Sequence, residues 1–258
     1  MAPVAHMQGV TLSSPPHPDP ERDALFLDLD GTLVPLEDRP DAVTVPASLI
    51  AMLHELADRL EGRIAIVSGR AIEVLDRFGL SGLALAGSHG AEWRLPRERH
   101  EMQPRPASLD LAAAAFRAFA ARHDGVIYED KPLGTALHFR LAPDMAQAAI
   151  ALAQQHAADL HLQHGHAMIE LRVAGVDKGT ALAMLMERAP FAGYRPLFFG
   201  DDVTDETGFA VAARLGGHGV LVGAVRDTRA SYALPDPAAV NAWLARIAEP
   251  ATPVRNLS

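Results

Sequence analysis

The stretch Ala24-Leu25-Phe26-Leu27-Asp28-Leu29-Asp30-Gly31-Thr32 decides the fold. Residues 24–29 form a short apolar run, consistent with a buried strand. The strand ends in a turn at Gly31. Residues two apart on a strand point to the same face, so Asp28 and Asp30 are expected side by side at the strand's carboxyl end, where open α/β sheets bind ligands. Adjacent carboxylates repel, and a divalent cation is the cheapest relief. One carboxylate could act as a nucleophile and the other as a general acid and base. The same Asp-Gly pair also suits a surface turn with an Asx cap. A calcium loop starting at Asp28 does not fit, because Leu33 stands where glycine is needed and Arg39 where glutamate is needed.

Outward from this strand the pattern alternates. Helical spacing covers 46–60, with Pro46 suited to a first turn. Residues 63–67 form a β-branched strand, 71–78 a helix and 83–86 another short apolar run. Strand and helix in alternation predict a parallel sheet with crossovers. Pro96, Pro104 and Pro106 then punctuate a polar stretch. Beyond it come a helix over 109–123, strands over 126–130 and 136–139, a helix over 145–156, and strands near 161–164 and 168–172. That order predicts a small α+β unit, mostly antiparallel. The parallel pattern returns with a helix over 178–187 capped by Asp177, a strand over 196–199, a helix over 204–213, a strand over 219–222 and a closing helix over 238–247.

The expected architecture is therefore α/β: a doubly wound, Rossmann-like parallel-sheet core from 23–94 and 175–248, with an α+β cap domain inserted at 95–174. Residues 1–22 and 249–258 are expected to be tails. The Pro/Ser-rich stretch 13–20 has too little to bury for self-ordering.

The 258 residues carry a net charge of −9, with 49% apolar and 21% charged residues and no cysteine. Such a chain is globular, cannot form disulfides or thiolate metal sites, and lacks the basic surface that nucleic acid or an anionic membrane requires. It has no basic n-region followed by an apolar run and no apolar run of membrane-spanning length. A cytoplasmic monomer is expected, with a small molecule as its partner.

Three further features carry chemistry. Gly200-Asp201-Asp202-Val203-Thr204-Asp205-Glu206 follows a predicted strand, and so many acids opposite Asp28 and Asp30 would repel without a cation. Magnesium suits carboxylate oxygens, although an acidic helix N-terminus would read the same way. Ser68-Gly69-Arg70 offers a hydroxyl and free amides to a phosphate, or an ordinary helix cap. Lys178, at a helix start where the dipole disfavours it, would neutralise phosphate and acids, or else be solvated. Together they form a kit for phosphoryl transfer. No GxxxxGK[ST] occurs, so a P-loop is not its source. The histidines 161, 164 and 166 lack cysteine or a paired carboxylate, so zinc is not expected there.

The order Asp-x-Asp-Gly-Thr, Ser, Lys, Gly-Asp-x-x-x-Asp resembles the haloacid dehalogenase superfamily of aspartyl-nucleophile phosphatases, over about 24–247. The form Gly-Asp-Asp-x-Thr-Asp-Glu is similar to that of trehalose-6-phosphate phosphatases. Agreement extends through Gly87-Ser88-His89-Gly90-Ala91-Glu92, Lys131 with His138 and Arg140, and Glu170-Leu171-Arg172. The resemblance implies a nucleophile at Asp28 and an acid/base at Asp30. It implies Mg2+ on Asp28, Asp30 (through its carbonyl) and Asp201, with Asp202 and Asp205 in or near the surrounding shell. Ser68, Gly69 and Lys178 would hold phosphate, and Lys131, Glu170, His89 and Glu92 the sugar. Another sugar-phosphate phosphatase (such as one for sucrose phosphate), a mutase or a non-catalytic sensor are the competing readings.

Overall fold

The computed structural model describes residues 12–248 except 38, 40, 41 and 166. The outermost parts of both expected tails, 1–11 and 249–258, and His166 thus lie outside the described residues.

The larger sheet has eight strands. In spatial order they are β12 (Tyr232–Leu234), β11 (His218–Val222), β10 (Arg195–Gly200), β1 (Asp23–Leu27), β2 (Ile64–Val67), β3 (Ala84–Gly87), β4 (Glu92–Arg94) and β5 (Glu101–Met102). All neighbours from β12 to β3 pair in parallel, and β4 and β5 add an antiparallel edge. From β1 the chain winds one way through β2 and β3, then returns to β10 on the other side and winds outward. The strand order therefore reverses between β1 and β10, where a crevice opens at the carboxyl ends.

The central strands read as continuous apolar runs because helices cover both faces. Leu25, Leu27, Ile64 and Ile66 pack with Leu53 of α1 (Ala47–Arg59) and Trp243 of α7 (Pro237–Ala248). The alternate residues Phe26, Ala65 and Val67 pack with Leu182 of α5 (Lys178–Met186) and Phe209 of α6 (Glu206–Arg214). A short helix, α2 (Ile72–Arg77), follows β2.

The second sheet is antiparallel, in the order β6 (Ile127–Lys131), β7 (Gly134–His138), β9 (Met168–Val173) and β8 (Leu160–Gly165). Leu137, Ile169 and Leu171 point to a core shared with Phe116 of α3 (Ala107–Ala120) and Ala149 of α4 (Ala146–Gln155). Period-2 alternation sends Glu170 and Arg172 to the opposite face.

Three strands escape the sequence pattern. β4, β5 and β12 span only two or three residues each, too few to display a period. As a result the large sheet runs on to Met102, inside the segment 95–174 that the sequence assigns to the cap.

The stretch 13–20 is not loose. Pro15 and Pro18 are buried. The Trp243 indole N–H donates to the Pro15 carbonyl at 3.3 Å, Arg63 Nη2 to the Pro20 carbonyl at 2.6 Å, and the Ala233 N–H to the Ser13 carbonyl at 3.0 Å. Proline carbonyls are good acceptors and proline loses little entropy on docking, so a polar-looking segment becomes a strap across the edge strand β12 and helix α7. Removing residues through 18 is expected to lower the thermal midpoint by roughly 4–8 °C, since two hydrogen bonds of about 1 kcal/mol each and apolar burial are lost. An unchanged midpoint would show that the strap contributes nothing.

Candidate functional site

The crevice between β1 and β10 is where the acids meet. Asp28 directly follows β1, and its N–H donates to Phe199 of β10 at 3.0 Å. Asp201 follows β10. Oxygens of Asp28, Asp201 and Asp205 lie within 4.8 Å of one another. Lys178, the first residue of α5, is buried among them, with Nζ 2.9 Å from Asp28 Oδ1 and 2.7 Å from Asp205 Oδ1. The helix start is fixed by a reciprocal cap: Asp177 accepts from the Thr180 N–H at 2.7 Å, and the Thr180 hydroxyl accepts from the Asp177 N–H at 2.8 Å.

Asp205 is the anchor of its loop. Its Oδ1 takes Lys178, and its Oδ2 accepts the N–H groups of Asp201 and Asp202 at 3.1 and 3.0 Å. Asp202 instead turns outward to cap Val203 N–H at 2.7 Å. The Asp201 carboxylate sits in a narrow seat. Thr32 Oγ1 donates to its Oδ1 at 3.3 Å, and a Cβ on Gly31 would fall 2.2 Å from its Oδ2. Gly31 also has φ +82°, so two constraints demand glycine there.

One cation among three acids leaves a surplus of negative charge. Burial pushes the Asp28 carboxyl well up, Lys178 pulls it down, and Asp205 and Asp201 raise it further. Burial, then Asp205, lifts Asp201 to about 6. Burial disfavours the Lys178 charge, but Asp205 and Asp28 outweigh it and hold its pKa above the ordinary lysine value. Buried hard oxygens that are difficult to ionise together suit a divalent cation, which would favour their charged forms.

Asp30 lies just beyond β1, which spans Asp23–Leu27. The turn swings the Asp30 carboxylate into the fork of Arg70, which donates Nε to Oδ2 at 2.7 Å and Nη2 to Oδ1 at 2.8 Å. Ser68 is buried at the end of β2, with its Oγ accepting the Arg70 N–H at 3.1 Å.

A narrow seam between the two sheets adjoins this site. Gly69, Ser88 and His89 line it from the core, and Lys131, Gly134, Glu170 and Arg172 from the second sheet. Lys131 Nζ lies 3.0 Å from Glu170 Oε1 and 3.8 Å from Glu129 Oε2, and Glu129 accepts from or pairs with His138 at 2.8 Å. Glu129 went unnoticed in the sequence, yet its spacing two before Lys131 on one strand places it on the same face. Ser88 and His89 both have left-handed φ, 49° and 57°. The His89 ring packs so close to Gly69 that a Cβ there would lie 2.7 Å from Nε2. Burial first, then the nearby Arg172, Lys178 and Lys131, push the pKa of this imidazole well down. Glu92 does not line the seam. It is buried, and accepts Ile72 N–H at 3.2 Å, the Ser88 hydroxyl at 2.6 Å and pairs with His100 at 2.7 Å. Its oxygens hold the Ser88–His89 turn in place, and so they are already occupied.

Among the described residues no helix is long and apolar enough to cross a membrane. The sequence profile of the trehalose-phosphatase family matches residues 26–238. A probable trehalose-phosphate phosphatase of Sinorhizobium fredii is 39% identical over 231 residues, covering 87% of both chains. The trehalose-6-phosphate phosphatase of Escherichia coli is 38% identical, covering 87% of this chain and 86% of its own. Among solved structures, a trehalose-6-phosphate phosphatase related protein superposes with a TM-score of 0.71 at 26% identity, covering 87% of this chain and 96% of that one. A switch-point crevice with a buried Asp–Lys–Asp core, under a second sheet with a polar face, accompanies a profile match over most of the chain: the chain belongs to the trehalose-phosphatase family.

Proposed function

We propose that this chain is a Mg2+-dependent phosphatase that hydrolyses trehalose 6-phosphate to trehalose and phosphate through a phosphoaspartate on Asp28. The observation that carries the reading is the Asp28 carboxylate, buried 2.9 Å from Lys178 at the switch point in a chain whose relatives are named for this reaction.

In this reading an oxygen of Asp28 attacks phosphorus and the bond to the sugar oxygen breaks. Asp30 gives that oxygen its proton. Asp30 then takes a proton from water, which attacks the phosphoaspartate, releasing phosphate and restoring Asp28. Lys178 stays with the phosphoryl group and balances its charge, and Ser68 with the Gly69 amide holds its oxygens. Asp28 and Asp201, with the Asp30 carbonyl, would hold the cation, which when bound neutralises the acids and the phosphoryl oxygens. Lys131 and Glu170 would take sugar hydroxyls, with His89 beside them, while Glu92 acts by holding the turn that carries His89.

Phosphate release from trehalose 6-phosphate, sucrose 6-phosphate, glucose 6-phosphate and an aryl phosphate tests the substrate. Trehalose 6-phosphate should lead by orders of magnitude and a chelator should stop turnover. Equal rates would sink the substrate assignment while keeping the chemistry. Asp28→Asn should lose roughly a thousandfold or more in kcat, and retained turnover would remove Asp28 as nucleophile.

Lys131→Ala should raise KM for trehalose 6-phosphate roughly tenfold, the size of a lost charged hydrogen bond, and leave KM for the aryl phosphate unchanged. Equal effects on both would take Lys131 out of the sugar site.

The acid cluster also sets a pH dependence. With Asp201 at about 6 in the folded chain and about 3.9 unfolded, the native state binds more protons across that window. Its stability therefore falls as pH rises through it. In chelator, Asp201→Asn should raise the thermal midpoint relative to wild type on the order of 5 °C at about pH 7.5, and little at about pH 4. With Mg2+ the order should invert, because only wild type gains from binding. A midpoint difference independent of pH would contradict this account of the cluster.

A further inference from the structure

The loop that carries Asp201 is held from two sides. Asp205 holds it from beneath, as described above. From outside comes Arg226, in the connection between β11 and β12, which no motif singles out. Its Nη2 donates to the carbonyls of Asp202 at 2.8 Å and Asp201 at 3.3 Å. Its Nη1 pairs with Glu206 and donates to the Asp227 carbonyl at 3.1 Å. Glu206 in turn accepts the Thr228 hydroxyl and the Arg229 N–H, each at 2.8 Å. The connection after β11 is thereby fastened to the connection after β10 through one planar guanidinium. A lysine ammonium has no such rigid fork and cannot span these acceptors in the same way.

We infer that Arg226 is a positioning residue for the cation site: by fixing the Asp201–Asp202 backbone, it sets how tightly Asp28 and Asp201 hold a divalent cation. The seat of Asp201 between Gly31 and Thr32 has little tolerance, so a small shift of its backbone displaces a carboxylate that must meet the ion. Partners behind metal ligands change affinity by roughly 10–100-fold. Charge alone argues the other way, because removing a positive group should tighten cation binding. Here that contribution is small, since Glu206 already neutralises Arg226. The two effects differ in sign, which makes the test decisive.

This inference rests on the cation-dependent reading above. Mg2+ and Mn2+ binding to the full chain, without substrate, would be measured by titration calorimetry for wild type, Asp201→Asn, Arg226→Met and Arg226→Lys. Arg226→Met should weaken Kd about tenfold, with Arg226→Lys restoring only part of the loss. At saturating Mg2+ its KM for trehalose 6-phosphate should match wild type. If Arg226→Met binds as tightly as wild type or tighter, while Asp201→Asn abolishes binding, the role of Arg226 is overturned and the cation reading stands. If wild type binds neither ion, both fall. Should Arg226→Met not fold, Arg226→Gln, which keeps one amide donor, is read by the same criteria.

Discussion

The ammonium of Lys178, enclosed between Asp28 and Asp205, is the contact on which the site depends. A lysine at the first position of a helix opposes the dipole, and burying it without partners would be prohibitive. Two carboxylates reverse both penalties. The position of Lys178 is itself determined by the cap of Asp177 on Thr180, so the start of α5 is registered against the ends of β1 and β10. Asp205 is then fully engaged, with one oxygen on Lys178 and the other on two backbone N–H groups. Asp28 and Asp201 beside it both have raised pKa values, the mark of negative charge that is incompletely compensated. The charge that Lys178 leaves unbalanced therefore falls on the two acids that face the crevice.

Much of this was legible. The apolar runs of β1, β2 and β10 are buried on both faces, so they needed no alternation to be recognised. The acids that follow β1 and β10 sit at strand ends because a parallel sheet delivers every carboxyl end to one edge. Chemistry built on such junctions can be read from local sequence. The cap's polar face was partly legible for a different reason: Glu170 and Arg172 alternate with Ile169 and Leu171 across β9, and Glu129 and Lys131 share a face in the same way.

What escaped has physical causes too. The grip of Arg70 on the Asp30 carboxylate was not legible, because the two residues are 40 apart in the chain and meet only in the fold. Glu92 has the right neighbours for a site residue and a different task, because its acceptors are filled by Ile72, Ser88 and His100. Arg226 carries no signal at all, since it acts on carbonyl groups that every residue possesses. The strap over 13–20 escaped because its partners, Trp243 and Ala233, are more than two hundred residues away.

Arg70 connects the two parts of the molecule. It holds the Asp30 carboxylate in its fork, and its charge also reaches the cap: burial raises the Glu129 pKa, His138 and Lys131 outweigh it, and Arg70 adds the smallest of these lowering contributions. Its own N–H is engaged by the Ser68 hydroxyl, and its carbonyl accepts the Ser88 N–H at 2.9 Å. Arg70 thus ties together the acid/base candidate, the candidate phosphate-binding serine, the turn that carries His89 and the field of the cap. Such a residue could not occupy a flexible loop, because a displacement of one partner is a displacement of all four. That explains why the short segment from Ser68 to Ile72 is pinned at both ends, by the Ser68 N–H on the Ala86 carbonyl and by Glu92 on the Ile72 N–H. The rigidity that Glu92 supplies to this segment is its contribution to a seam that it does not line.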